Sequence, residues 1–205
     1  MLSRFTRAAV TRVLTPVARG LLRAGISPDV VTVVGTVGVC VGALGFYPRG
    51  EFLAGTLVIT AFVFADTLDG TMARLSGRSS SWGAFLDSVL DRFGDAAVFG
   101  GLVLWFAGSG DDLRLAALAL ACLALGAIVP YTKARAEGLG MTADVGVAER
   151  ADRLVAVLLT VGLVGLLDLP VQVLEVVLWL LAAASAWTVG QRVLEVRRQA
   201  LPHPS

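Results

Sequence analysis

Asp66, Asp69, Asp87 and Asp91 stand on two strongly apolar stretches joined by a short loop rich in Ser, Gly and Arg. On a translocon scale, one carboxylate at the centre of a membrane helix costs about 2.5–3.5 kcal/mol, so four imply ~10 kcal/mol or more unless a metal, a cation or water neutralises them. On a helical wheel Asp66, Asp69, Gly70 and Ala73 fall within about 100° of arc, and Gly83, Asp87 and Asp91 recur every fourth residue along one stripe. Two facing helices would then present two carboxylates each, around a space that Gly70, Ala73 and Gly83 keep open. Oxygen ligands in this number suit Mg²⁺ or Mn²⁺, and a four-carboxylate set can hold two ions bridged by a diphosphate.

The elements that must carry these residues follow from hydropathy. With 56% hydrophobic and 16% charged residues and a mean hydropathy of +0.79, the chain reads as an integral membrane protein. A window of roughly 20 residues yields six spans, over 29–47, 52–75, 83–107, 113–136, 149–168 and 170–194. The expected fold is an all-α membrane protein of six transmembrane helices preceded by an amphipathic interfacial helix. Its 205 residues form one domain: 1–25 as the interfacial helix, 29–194 as the six-helix bundle and 195–205 as a cytoplasmic tail. No transporter-type internal repeat is visible. Cys40 and Cys122 lie in apolar runs and behave as small hydrophobes. The one histidine is His203, near the C-terminal end, which argues against His-based chemistry.

Net charge is only +1, no nucleic-acid partner is expected, and the cations are unevenly placed. On the six-span reading 15 of the 17 Arg and Lys residues fall on one side and only Arg49 and Arg114 on the other. The side that keeps positive charge is cytoplasmic, so the acidic site is expected to face the cytoplasm from a bacterial plasma membrane. Within 1–25, Arg4, Arg7, Arg12, Arg19 and Arg23 share half a wheel opposite Val10, Val13, Leu14, Val17 and Leu21, the pattern of a helix lying against anionic headgroups of the lipid bilayer.

Written out, the acidic run is Asp66-x2-Asp69-Gly70-x2-Ala73-Arg74-x8-Gly83-x3-Asp87-x3-Asp91. It resembles the signature of the CDP-alcohol phosphotransferase family at all eight defining positions. That resemblance implies a homodimeric six-helix enzyme that uses two divalent metals to displace CMP from a CDP-linked lipid. It also implies that Asp66, Asp69 and Asp87 hold one Mg²⁺ and Asp66, Asp87 and Asp91 the other, with Mn²⁺ a possible replacement. Asp91 would further serve as general base toward the acceptor hydroxyl. Gly70, Arg74 and Ser80 would contact the CDP part of CDP-diacylglycerol. The turn Ser27-Pro28-Asp29-Val30-Val31-Thr32, a capped helix start, is similar to the family segment that closes over the cytidine, so Asp29, Val30, Val31 and Thr32 join the nucleotide set.

The motif does not encode the acceptor. Cations on the later helices, Lys133, Arg153 and Arg192, sit in contexts similar to the actinobacterial phosphatidylinositol phosphate synthases of this family. There the matching residues would bind the phosphate of 1D-myo-inositol 3-phosphate. The same three cations also read as ordinary flanking charge. Glycerol 3-phosphate, the acceptor of a phosphatidylglycerophosphate synthase, is the alternative. A Mg²⁺ channel or transporter is a distant one, because it leaves Gly70, Ala73, Arg74 and Gly83 without a role. Asp95, one turn past Asp91, is expected to pair with Arg92 or a neighbouring helix. Arg135 and Arg150 receive no role.

Overall fold

Local chemistry marks where each helix begins and ends. The Ser27 hydroxyl accepts from the Val30 N–H at 3.4 Å and Pro28 occupies the first turn, so α1 runs over Pro28–Phe46. A 3-10 turn over Tyr47–Arg49 and the left-handed Gly50 reverse the chain into α2, Phe52–Ser76. Ser80 accepts from the Gly83 N–H at 3.0 Å and starts α3, Ser81–Ala107. Asp112 likewise accepts from Leu115 N–H at 2.9 Å ahead of α4, Leu113–Glu137. The Asp152 carboxylate accepts from Glu149 N–H at the head of α5, Arg150–Leu167, and α6 spans Gln172–Ala200.

This computed structural model describes residues 15–77 and 80–201, with the side chains of 64–67 left aside. Residues 15–23 are helical. The rest of the expected interfacial helix, residues 1–14, lies outside the described residues, as do Arg78 and the chain end beyond 201.

Among the described residues every regular element is helical, and the six long helices close into a ring. α1 packs on α2 and α3, α3 on α4, α4 on α6, α6 on α5, and α5 back on α2. Small residues permit the closest crossings: a Cβ on Gly165 of α5 would stand 2.6 Å from the Leu53 backbone nitrogen of α2. Val98, Leu102, Val157, Val161, Leu174 and Leu178 fill the middle of the ring. At one end Tyr47, Phe52, Trp105 and Phe106 stack edge to face, with centroids 4.7–5.9 Å apart. Val37, Val41, Leu159, Leu163, Trp179 and Leu180 point outward and are exposed, an apolar exterior that suits lipid.

The chain is thus an all-α integral membrane protein. Four helices are long and apolar enough to cross a membrane by length and composition: Pro28–Arg49, Phe52–Ser76, Leu113–Glu137 and Gln172–Ala200. The other two carry charge within their length, Asp87, Asp91, Arg92 and Asp95 in α3 and Arg150, Asp152 and Arg153 in α5. One boundary moves. Residues 195–200, expected in the tail, continue α6, because Glu195 accepts from both Arg198 and Gln199 at 2.8–2.9 Å and keeps the polar turn helical.

Candidate active site

The polar end of the ring is built from three helix termini. The start of α1, the end of α2 and the start of α3 enclose a cavity of 270 Å³. Its walls are Pro28, Asp29 and Thr32 from α1, Asp69, Gly70 and Ala73 from α2, and Ser80, Gly83, Ala84 and Asp87 beside or within α3. Of the expected nucleotide and metal residues, Asp29, Thr32, Asp69, Gly70, Ser80 and Asp87 line this one cavity although three separate segments supply them, whereas Val30, Val31, Arg74 and Asp91 are not among its walls. Gly83 keeps the floor open: a Cβ there would lie 3.4 Å from Ser80 Oγ and 3.8 Å from Asp29 Oδ1.

Polar bonds set these side chains. The buried Thr32 hydroxyl, placed by its helical position near the Pro28 carbonyl, makes a very short contact with Asp69 Oδ2. A hydroxyl has one proton, so it donates to one of the two at a time. Asp69 is 7% exposed. The Trp82 indole N–H donates to Asp29 Oδ2 at 3.2 Å, tying the rim of α3 to the head of α1. Arg74 folds along its own helix, Nη2 donating to Thr71 Oγ1 at 3.2 Å. Val30 is exposed and Val31 half-buried, and their amides serve the first turn of α1, bonding Ser27 Oγ and Ser27 O. Ser80 lines the cavity while its hydroxyl caps α3.

Asp91 opens on a neighbouring groove shared with Thr32, Phe62, Leu90, Arg150 and Leu154. Arg150 Nη1 sits 2.7 Å from Asp91 Oδ1, and Arg92 Nη2 3.6 Å from Asp91 Oδ2. One turn on, the buried Asp95 gathers three guanidinium groups, from Arg150 at 3.1 Å, Arg153 at 3.5 Å and Arg92 at 3.7 Å. Arg150 had no role in the sequence reading, yet it joins Asp91 to Asp95. The one available signal was spacing: acids one turn apart on α3 and cations one turn apart at the head of α5.

The three cations expected to meet the acceptor are placed differently. Lys133 Nζ lies 2.5 Å from Asp144 Oδ1 and 4.0 Å from Glu137, with its side chain 41% exposed. Arg153 is 2% exposed and donates to Gly126 O and Ala148 O at 3.2 and 3.3 Å as well as to Asp95. Arg192 is buried, with Nε donating to Val145 O at 2.9 Å and Nη1 to Val129 O. Beyond the membrane helices, the Lys133 ammonium holds the Asp144 carboxyl below the usual carboxylate range. Glu149 heads α5, its backbone amide donating to Asp152 Oδ2 at 3.3 Å.

Among the described residues, no three Asp, Glu, His or Cys side chains gather as a metal-binding group. Asp66, expected as the shared metal ligand, has its side chain outside the described residues. Asp69 and Asp87 face one cavity, and all the expected ligands are carboxylates. That all-oxygen chemistry fits a hard divalent ion.

Residues 25–189 match the model of the CDP-alcohol phosphatidyltransferase family. Over 204 residues the chain is 54% identical to a phosphatidylinositol phosphate synthase of Streptomyces avermitilis, covering 97% of this chain and 84% of that protein. It is 46% identical to the enzyme of the same description from Cutibacterium acnes, covering 97% and 98%. Its fold superposes on the crystal structure of Mycobacterium tuberculosis phosphatidylinositol phosphate synthase with CDP-DAG bound, with a TM-score of 0.88, 43% identity, and 95% and 99% of the two chains covered. The manganese and citrate complex of that mycobacterial enzyme gives a TM-score of 0.87 at 42% identity, covering 94% and 93%. With the matched region spanning most of its length and the eight motif residues in place, this chain belongs to the CDP-alcohol phosphatidyltransferase family.

Proposed function

We propose that the protein transfers the phosphatidyl group of CDP-diacylglycerol to 1D-myo-inositol 3-phosphate, giving phosphatidylinositol phosphate and CMP. The observation that carries this reading is the single cavity where Asp29, Thr32, Asp69, Gly70, Ser80, Gly83 and Asp87 meet, next to a groove that holds Asp91. A CDP group in that cavity has its cytidine against the head of α1 and its diphosphate against the carboxylate face, with Arg74 at the rim as a phosphate cation. Divalent ions held by Asp66, Asp69, Asp87 and Asp91, two Mg²⁺ or Mn²⁺ by this reading, would clamp the diphosphate and stabilise charge on the departing CMP.

The chain's own residues do the rest. The acceptor oxygen attacks the β-phosphorus, the bond from that phosphorus to the CMP oxygen breaks, and Asp91 takes the hydroxyl proton. Arg150 Nη1, 2.7 Å from Asp91 Oδ1, orients that carboxylate at the groove. Lys133 meets the acceptor phosphate, and the buried Arg153 and Arg192 lend positive potential from behind it while tying the α4–α5 connection in place. All six helices cross the plasma membrane as one domain of a homodimer, with the cation-rich end and the active site toward the cytoplasm.

Purified protein supplied with CDP-diacylglycerol, Mg²⁺ or Mn²⁺, and either inositol phosphate or glycerol 3-phosphate should release CMP only with the former. Release with glycerol 3-phosphate alone would make it a phosphatidylglycerophosphate synthase. Metal flux without CMP release would return the channel reading.

A further inference from the structure

Residues 138–149 connect α4 to α5 and carry two charged side chains, Asp144 and, at the head of α5, Glu149. This strap is laced to α6 along its length. Thr188 Oγ1 accepts from Val147 N–H and Ala148 N–H at 3.2 and 3.1 Å, and Arg192 Nε donates to Val145 O at 2.9 Å. The Gln199 amide makes two bonds to the Thr142 backbone, accepting from its N–H at 3.0 Å and donating to its carbonyl at 2.8 Å. Gly146, at φ +138°, lets the strap lie against α6, since a Cβ there would run into the Thr188 methyl group. The lacing aims Asp144 at Lys133, 2.5 Å away, in a region where both side chains meet solvent, 68% and 41% exposed.

An exposed ion pair fastens little, and five bonds to its main chain already hold the strap without it. The pair does something else: it covers the one acceptor cation whose charge faces solvent. Arg153 and Arg192 are buried and engaged by Asp95 and by carbonyls. We propose that Asp144 is a built-in competitor for the acceptor's phosphate on Lys133, and so a specificity-determining residue. An acceptor phosphate carrying close to two negative charges displaces a monoanionic carboxylate, whereas a neutral polyol has nothing to offer the ammonium. This rests on the reading that Lys133 receives the acceptor phosphate.

The test measures KM for inositol phosphate and for CDP-diacylglycerol in the full chain, for Asp144→Asn, Lys133→Ala and the double variant. Asp144→Asn should lower the acceptor KM by roughly two- to fivefold, the range an exposed pair allows, without a parallel change for CDP-diacylglycerol. Lys133→Ala should raise the acceptor KM, and Asp144→Asn added to it should then have no effect. A purely structural salt bridge would give an unchanged or raised acceptor KM in Asp144→Asn. If that occurs while Lys133→Ala still raises KM, the competitor role is overturned and the Lys133 reading stands. An unchanged acceptor KM in Lys133→Ala overturns both.

Discussion

Arg153→Ala removes a guanidinium that is 2% exposed and binds three parts of the ring at once, Asp95 of α3, the Gly126 carbonyl of α4 and the Ala148 carbonyl ahead of α5. Asp95 would keep Arg150 at 3.1 Å and Arg92 at 3.7 Å, so no uncompensated charge is left behind. The loss falls on the two carbonyls. Ala148 O loses its Arg153 bond, Gly126 O retains only a 3.5 Å contact from Arg92, and the vacated volume remains. Each stranded acceptor costs about 1–3 kcal/mol, so the two together cost about 2–6 kcal/mol. At 2–4 °C per kcal/mol for a chain of this size, the melting temperature should fall on the order of 10 °C. Arg153→Lys keeps the charge but cannot reach three acceptors with one ammonium, so it should fall in between. Thermal unfolding in detergent, run beside steady-state CMP release with inositol phosphate varied, reads both quantities. The structural part of the reasoning is refuted if Arg153→Ala melts like the parent while its acceptor KM rises roughly tenfold or more, about 1.4 kcal/mol. That outcome would mean direct phosphate contact.

Asp91→Asn should abolish CMP release while sparing CDP-diacylglycerol binding, and Asp66→Asn should weaken both; near-normal turnover in Asp91→Asn would remove it as the base. Gly165→Ala places a methyl 2.6 Å from Leu53 N and 3.0 Å from Phe52 Cβ, so α2 and α5 must part, at a cost of about 1–3 kcal/mol. An unshifted melting temperature would show that this crossing is looser than described. The Asp144 carboxyl is held low by Lys133, so its stabilisation is fully present above the ordinary carboxylate value of about 3.9 and is lost as pH falls through the folded value. A carbon-13 NMR titration should accordingly find a higher midpoint for Asp144 in Lys133→Ala than in the parent, and equal midpoints would break the link.

Much of the fold was legible because helices are local. The expected spans 52–75 and 113–136 end within one residue of Phe52–Ser76 and Leu113–Glu137, since hydropathy and the capping residues act over a few positions. The C-terminal boundary was not legible. Hydropathy reports the thickness of hydrocarbon rather than the end of a helix, and Glu195 and Gln199 carry α6 onward into water, where Gln199 also bonds the strap. The start of α1 was readable for the same local reason: Ser27 and Pro28 announce a helix start. What Thr32 does there was not, because its partner Asp69 lies 37 positions away.

The sequence by itself determined the membrane class, the helix pattern and the carboxylate-bearing pair of helices, because spacing on a helix translates directly into direction in space. Only the tertiary structure decided which charges meet. Arg150 reaches Asp95 across 55 positions, Asp91 takes the same cation, Arg153 and Arg192 turn to carbonyls, and Lys133 meets Asp144. A guanidinium removed from water binds whichever acceptors the packing of other helices brings near, and that depends on the closed ring rather than on any one segment.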